Sequence, residues 1–122
     1  STTFLSDSIC YSACKMAERT GAKAIITFTH SGYTAFKIAS HRPHAKIFAF
    51  TDNKRIIRKL SVAWGVRAFH AEVFENIDLY IDHSIRRLKE MKLVSEEDVV
   101  VHIGSTPILE RGKTNLLKLS YV

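Results

Sequence analysis

Apolar positions along this chain recur at two periods, in alternation. Phe4, Leu5, Ile9, Ala13, Met16 and Ala17 return at helical spacing, which predicts an amphipathic helix over 2–19 with Gly21 as its C-cap. Ala24-Ile25-Ile26-Thr27-Phe28 follows as a short, mostly apolar run, the signature of a buried strand. A second helix is predicted over 32–40, stopping before Pro43, because the residue ahead of a proline is pushed out of helical geometry. The second strand covers 46–50. Thr51 or Asp52 then caps a third helix carrying Ile56, Ile57 and Leu60, and Gly65 ends that region. Residues 66–69 form a third short strand. A long helix over 76–91 places Ile77, Tyr80, Ile81, Ile85 and Leu88 on one stripe. Residues 98–103 and 116–121 supply the last two strands.

Short apolar strands alternating with helices imply βαβ units and parallel pairing. The final two strands are joined by a segment too short for a helical crossover, so they should pair antiparallel. The predicted class is α/β: a three-layer, mainly parallel five-stranded sheet with helices on both faces and an antiparallel last strand. A length of 122 residues fits a single domain over 1–122. No basic, apolar leader opens the chain. No apolar run approaches the roughly 20 residues needed to span a bilayer. These features predict a soluble, cytoplasmic protein with no membrane partner.

The net charge is +6, which raises the question of nucleic acid. Yet the cations are spread over Lys54, Arg55, Arg58 and Lys59 on one helix and Arg86, Arg87, Lys89 and Lys92 on another. These read as solvated faces, and no nucleic-acid motif accompanies them. A basic surface that receives anionic metabolites, or an acidic neighbouring domain, fits better. Cys10 and Cys14 lie four residues apart on one helix face, a poor geometry for a disulfide, and read as small buried residues. The competing reading makes one of them a nucleophile, which native-state thiol labelling would reveal. Six histidines occur without a metal motif, and neither a nucleophile elbow nor a P-loop is present. Asp78 and Asp82 share a helix face and read as surface ion pairs.

The stretch Thr29-His30-Ser31-Gly32-Tyr33-Thr34 joins the first strand to the second helix. A helix N-terminus presents free N–H groups and partial positive charge, so it can take a phosphate. Gly32 allows close approach, and Thr29, Ser31 and Thr34 add hydroxyls. The plainer reading is an ordinary Ser or Thr cap. A loop over 105–113 holds Arg111, Gly112 and Lys113. It should emerge at the same sheet end and could close over the first loop; otherwise it is a solvated hairpin.

The order of motifs resembles the C-terminal domain of pyruvate kinases: Ser31-Gly32-Tyr33-Thr34-Ala35, then His41-Arg42-Pro43, then Ile47-Phe48-Ala49-Phe50-Thr51, Gly65-Val66, and Gly112-Lys113-Thr114-Asn115. The resemblance covers 6–122. It implies a regulatory and oligomerisation domain, dimerising here within a tetrameric enzyme that converts phosphoenolpyruvate and ADP to pyruvate and ATP. The catalytic barrel, with its magnesium and potassium ions, would be this domain's partner, and the domain itself would hold no cofactor or catalytic residue. The resemblance further implies that Thr29, His30, Ser31, Gly32, Tyr33, Thr34, Arg111, Gly112 and Lys113 bind an allosteric effector. His30 and Tyr33 stand where relatives often carry a basic residue, and no Trp/Arg pair follows Val66. A monophosphate such as AMP or a sugar phosphate therefore fits better than a bisphosphate. The alternative is a stand-alone phosphometabolite sensor of the same fold. The two differ in whether a barrel of about 250 residues precedes the domain.

Overall fold

A computed structural model of the chain describes residues 2–73, 75–104 and 116–122. Strands β1 (Ala24–Phe28), β2 (Lys46–Thr51), β3 (Val66–His70), β4 (Val99–Gly104) and β5 (Leu116–Tyr121) form one sheet in the order β3-β2-β1-β4-β5. The first four run parallel. β5 returns antiparallel to β4, with Gly104 opposite Leu116 and Val99 opposite Tyr121. The helices are α1 (Thr2–Thr20), α2 (Tyr33–Ser40), α3 (Ile57–Ser61), entered through a 3-10 turn at Lys54–Ile56, and α4 (Ile77–Glu90). The expected class and strand directions are thus observed.

Neighbouring strand residues face opposite sides, so each strand feeds two cores. Ile25, Ile47, Val101 and Ile103 pack with Cys10, Ala13 and Ala17 of α1, Ala35 and Ile38 of α2, and Leu60 of α3. Ala24, Ile26, Phe48, Phe50 and Val100 pack with Tyr80, Ile81 and Leu88 of α4. Three helices therefore cover one face and α4 covers the other.

Four local expectations are corrected. On α1 the inward stripe is Ser6, Cys10, Ala13 and Ala17, whereas Phe4, Leu5 and Met16 are exposed by 70%, 60% and 37%. Small residues every three or four positions let this helix lie close to the sheet, and its bulky side chains face out. The 3-10 turn that leads into the third helix is capped by Asn53, whose side chain accepts the Arg55 N–H at 3.1 Å, while Thr51 ends β2. Arg87 is no solvated charge: it donates to the His70 carbonyl at 2.6 Å and stacks over Phe50 and Phe69 at 5.3 and 5.7 Å. Cys10 is buried but Cys14 only partly so.

His102, on β4, is the most costly polar group in the sheet. It is 1% exposed, and neither ring nitrogen finds a hydrogen-bond partner among the described residues. Burial, then the positive charge of Lys118 opposite it on β5, lowers its pKa to about 4. The unfolded chain takes up this proton near pH 6.5 and the folded chain does not. Stability is therefore full above about pH 6.5 and is lost as pH falls toward 4. Between pH 7 and pH 4, wild type should lose about 3 kcal/mol more unfolding free energy than His102→Leu. Denaturant titrations at both pH values measure the difference, and equal losses would contradict the assignment.

Candidate functional site

β1 lies between β2 and β4, and this position creates the site. From β1 the chain moves outward through α2 to β2 and β3. It then crosses the opposite face through α4 and returns as β4 on β1's other edge. The chain thus leaves β1 toward β2 and reaches β5 on the other side of β4, a topological switch point of the kind beside which ligands bind in α/β sheets. Thr29 follows directly after β1 at this end.

The 29–34 loop is ordered by its own hydrogen bonds. The Gly32 N–H donates to Thr29 Oγ1 at 2.8 Å, and the Tyr33 N–H to Ser31 Oγ at 3.3 Å. Gly32 is the residue that precedes α2, with φ 92° and no side-chain cap. The expected Ser or Thr cap is therefore replaced by a left-handed glycine. A Cβ at Gly32 would lie 3.0 Å from Phe36 Cε2 and 3.3 Å from Leu60 Cδ2. Packing and backbone geometry both demand glycine here, before any ligand is considered.

Charges around the loop are already paired. His30 Nδ1 lies 2.8 Å from Asp52 Oδ1 just past β2, and the Asn53 amide reaches the His30 carbonyl at 3.5 Å. The Tyr33 hydroxyl donates to Asp7 Oδ1 at 2.7 Å, and Lys37 Nζ sits 3.5 Å from Asp7 Oδ2. The bond to Asp7 raises the Tyr33 phenol above its ordinary pKa. Asp7 and Asp52 are thus part of the loop's framework, although neither was legible beforehand. They lie 26 and 22 residues from their partners, and no local motif marks them.

Of the expected site residues, Thr29, His30, Ser31, Gly32, Tyr33 and Thr34 do share one turn at the crevice. Arg111, Gly112 and Lys113 lie outside the described residues. The flanking positions Gly104 and Leu116 are paired at the same sheet end as Thr29.

The cysteines are not primed for attack. Burial pushes the Cys10 thiol up to about 12 and the Cys14 thiol to about 11, and Cys14 Sγ points to the Ile38 carbonyl at 3.9 Å. No group of three or more His, Cys, Asp or Glu able to hold a metal occurs among the described residues. No described helix is long and apolar enough to cross a membrane.

Fold and loop together define an open α/β domain with a strand-to-helix loop at its switch point. Comparison with known proteins narrows this further. Residues 7–120 match the family model described as pyruvate kinase, alpha/beta domain. The pyruvate kinases of Lactobacillus delbrueckii subsp. bulgaricus and Geobacillus stearothermophilus are 35% and 34% identical over 97% and 100% of the chain. A crystal structure of a Cryptosporidium parvum pyruvate kinase superposes on 96% of the chain with TM-score 0.86 and 27% identity, covering 22% of that protein. The chain belongs to the family of pyruvate kinase α/β domains. It spans 20% and 21% of the length of the two bacterial relatives.

Gly32→Ala tests the loop's geometry. A left-handed alanine in contact with Phe36 and Leu60 should destabilise the fold by about 2 kcal/mol or more. The midpoint of urea unfolding reports it, and a change under about 0.5 kcal/mol would show that the turn relaxes freely.

Proposed function

We propose that this chain is the C-terminal regulatory domain of a cytoplasmic pyruvate kinase, and that its 29–34 loop binds the phosphate of an allosteric monophosphate such as AMP or a sugar phosphate. The parent reaction, phosphoenolpyruvate and ADP to pyruvate and ATP, would take place on an attached barrel carrying magnesium and potassium ions. One observation supports the effector reading: the N-terminus of α2, entered through left-handed Gly32, lies at the carboxyl end of β1, beside the topological switch point.

Binding requires an exchange. The phosphate takes the N–H groups of Gly32 and Tyr33 from Thr29 Oγ1 and Ser31 Oγ. Each freed hydroxyl then turns and donates in its turn. Because His30 and Lys37 already face carboxylates, fixed positive charge must come from Arg111 and Lys113. Modest affinity and a single phosphate follow from this balance.

Ser31→Asp separates an effector site from an ordinary turn. Its carboxylate can keep the Tyr33 N–H bond, so the fold should persist. It also puts a charge about 4 Å from the anion, which should weaken binding roughly tenfold or more. Calorimetric titration with AMP, ribose 5-phosphate and fructose bisphosphate measures this. If wild type binds none of them, or the variant binds equally well, the loop is not an effector site.

Self-association through this domain is the second part of the proposal. Phe4 and Leu5 on α1 are exposed, and Tyr121 on the edge strand β5 is 78% exposed. Apolar surface and an open strand edge both favour covering by a second copy. Light scattering should show a dimer at high concentration that Leu5→Glu abolishes. A monomer at every concentration would count against it.

A further inference from the structure

The opposite end of the sheet carries a second concavity that the effector reading does not use. A cleft of about 770 Å³ lies at the amino ends of β1 and β2, between the last turns of α1 and the 41–46 turn. It is separated from the 29–34 loop by the length of β1, about 17 Å for five residues. We propose that this cleft binds small organic phosphates that carry a planar apolar group.

Charge is the first argument. Lys15, Lys23, Arg42 and Lys46 line the cleft, with Glu18 as its single carboxylate. Lysines near helix carboxyl ends often do no more than offset the helix dipole, and α1 and α2 both end here. Each such end contributes only about half a negative charge, so two ends and Glu18 leave roughly two cations in surplus. Among the described residues, Lys15 pairs with Glu18 at 4.0 Å, and Lys23, Arg42 and Lys46 pair with no carboxylate. Lys23 and Lys46 are held close together, because the Lys46 N–H donates to the Lys23 carbonyl at 3.1 Å.

Shape and lining supply the second argument. The floor is apolar: Ala17, Ala22, Pro43 and Ala45 are buried and line it. One wall is aromatic, with Tyr11 and His41 meeting edge to face at 5.8 Å. Cations beside apolar and aromatic surface suit a ligand with one charged and one flat end.

The placement of Arg42 is the third. It sits at φ 50° where α2 ends, its N–H donating to the Ala39 carbonyl at 3.0 Å, a left-handed position that glycine would fill without cost. This turn sets the Arg42 side chain in the lining of the cleft, with its guanidinium over the Trp64 ring at 5.1 Å.

The test uses the 122-residue chain, labelled for amide NMR, with 1-naphthyl phosphate and inorganic phosphate as probes. Naphthyl phosphate should move the amides of 21–23 and 41–46 and bind roughly tenfold tighter than inorganic phosphate, since it adds a buried ring. Lys23→Gln with Lys46→Gln should weaken it about tenfold. Arg42→Gly should weaken it too while leaving the unfolding midpoint unchanged or raised, because glycine relieves the backbone. Shifts confined to 29–34, equal affinity for the two probes, or variants that bind like wild type would each overturn the proposal. Ser31→Asp should leave this binding intact, so failure here and failure of the effector loop are read separately.

Discussion

Parallel pairing on both edges of β1 is the constraint from which the rest of the structure follows. Ala24, Ile25, Ile26 and Thr27 are matched to β2 on one side and β4 on the other, and all four are buried. A strand enclosed in this way cannot be joined to its neighbours by hairpins, because parallel partners require crossovers. α2 makes the crossover on one face and α4 the one into β4 on the other. With helices on both faces, the strand must be mostly apolar, and Thr27 is its one polar residue. The two outward paths from β1 also fix where a crevice opens. The site is thus a consequence of topology before any side chain is chosen.

Within that crevice, the loop holds its donors ready. Hydroxyls of Thr29 and Ser31 accept from the N–H groups of Gly32 and Tyr33, so those groups are oriented and satisfied within the loop. Asp7 and Asp52 reach in from α1 and from the end of β2 to fix Tyr33 and His30. Since two carboxylates stand beside the loop, net attraction for a phosphate depends on charge brought from elsewhere in the chain. Donor geometry is built by the strand-to-helix turn, and charge is a separate contribution. That division explains why a turn can look ligand-ready without binding tightly.

Much of this was legible in the residues, for identifiable reasons. β1 was bounded to the residue, because a buried parallel strand is a continuous apolar run flanked by polar or small residues. α4 was found because Ile77, Tyr80, Ile81, Ile85 and Leu88 recur at helical spacing; the structure adds its cap, Asn76, whose side chain accepts the Leu79 N–H at 2.9 Å. α1 was found as a helix with Ile9, Ala13 and Ala17 rightly on the core side, but Phe4, Leu5 and Met16 face out. Its buried face is made of Ser6, Cys10, Ala13 and Ala17, and hydrophobicity alone ranks Phe4 and Leu5 above them. Close helix–sheet approach selects for size, which a hydrophobic pattern does not register. Arg87 was missed for a related reason: a guanidinium that stacks between rings is indistinguishable in sequence from one in water. Of the loop, the 29–34 turn was legible because its residue types are local. Its partners Asp7 and Asp52 were not, because only the tertiary fold brings them there.

The excess positive charge takes on a different meaning once it is placed on the fold. At the carboxyl end of the sheet, His30 and Lys37 are balanced by Asp52 and Asp7. At the amino end, Lys23, Arg42 and Lys46 line a cleft without carboxylate partners. Parallel strands add little to this asymmetry, because the dipole along an extended strand is small compared with that of a helix. Helices do contribute, because α1 and α2 end at the amino side and favour cations there. Yet half a charge per helix accounts for about one of the cations, and Glu18 for one more. The left-handed angle of Arg42 belongs to the end of α2, where its N–H donates to the Ala39 carbonyl at 3.0 Å, and so carries no charge argument of its own. What folding leaves over is a surplus of cations around one concavity, which an anion would offset.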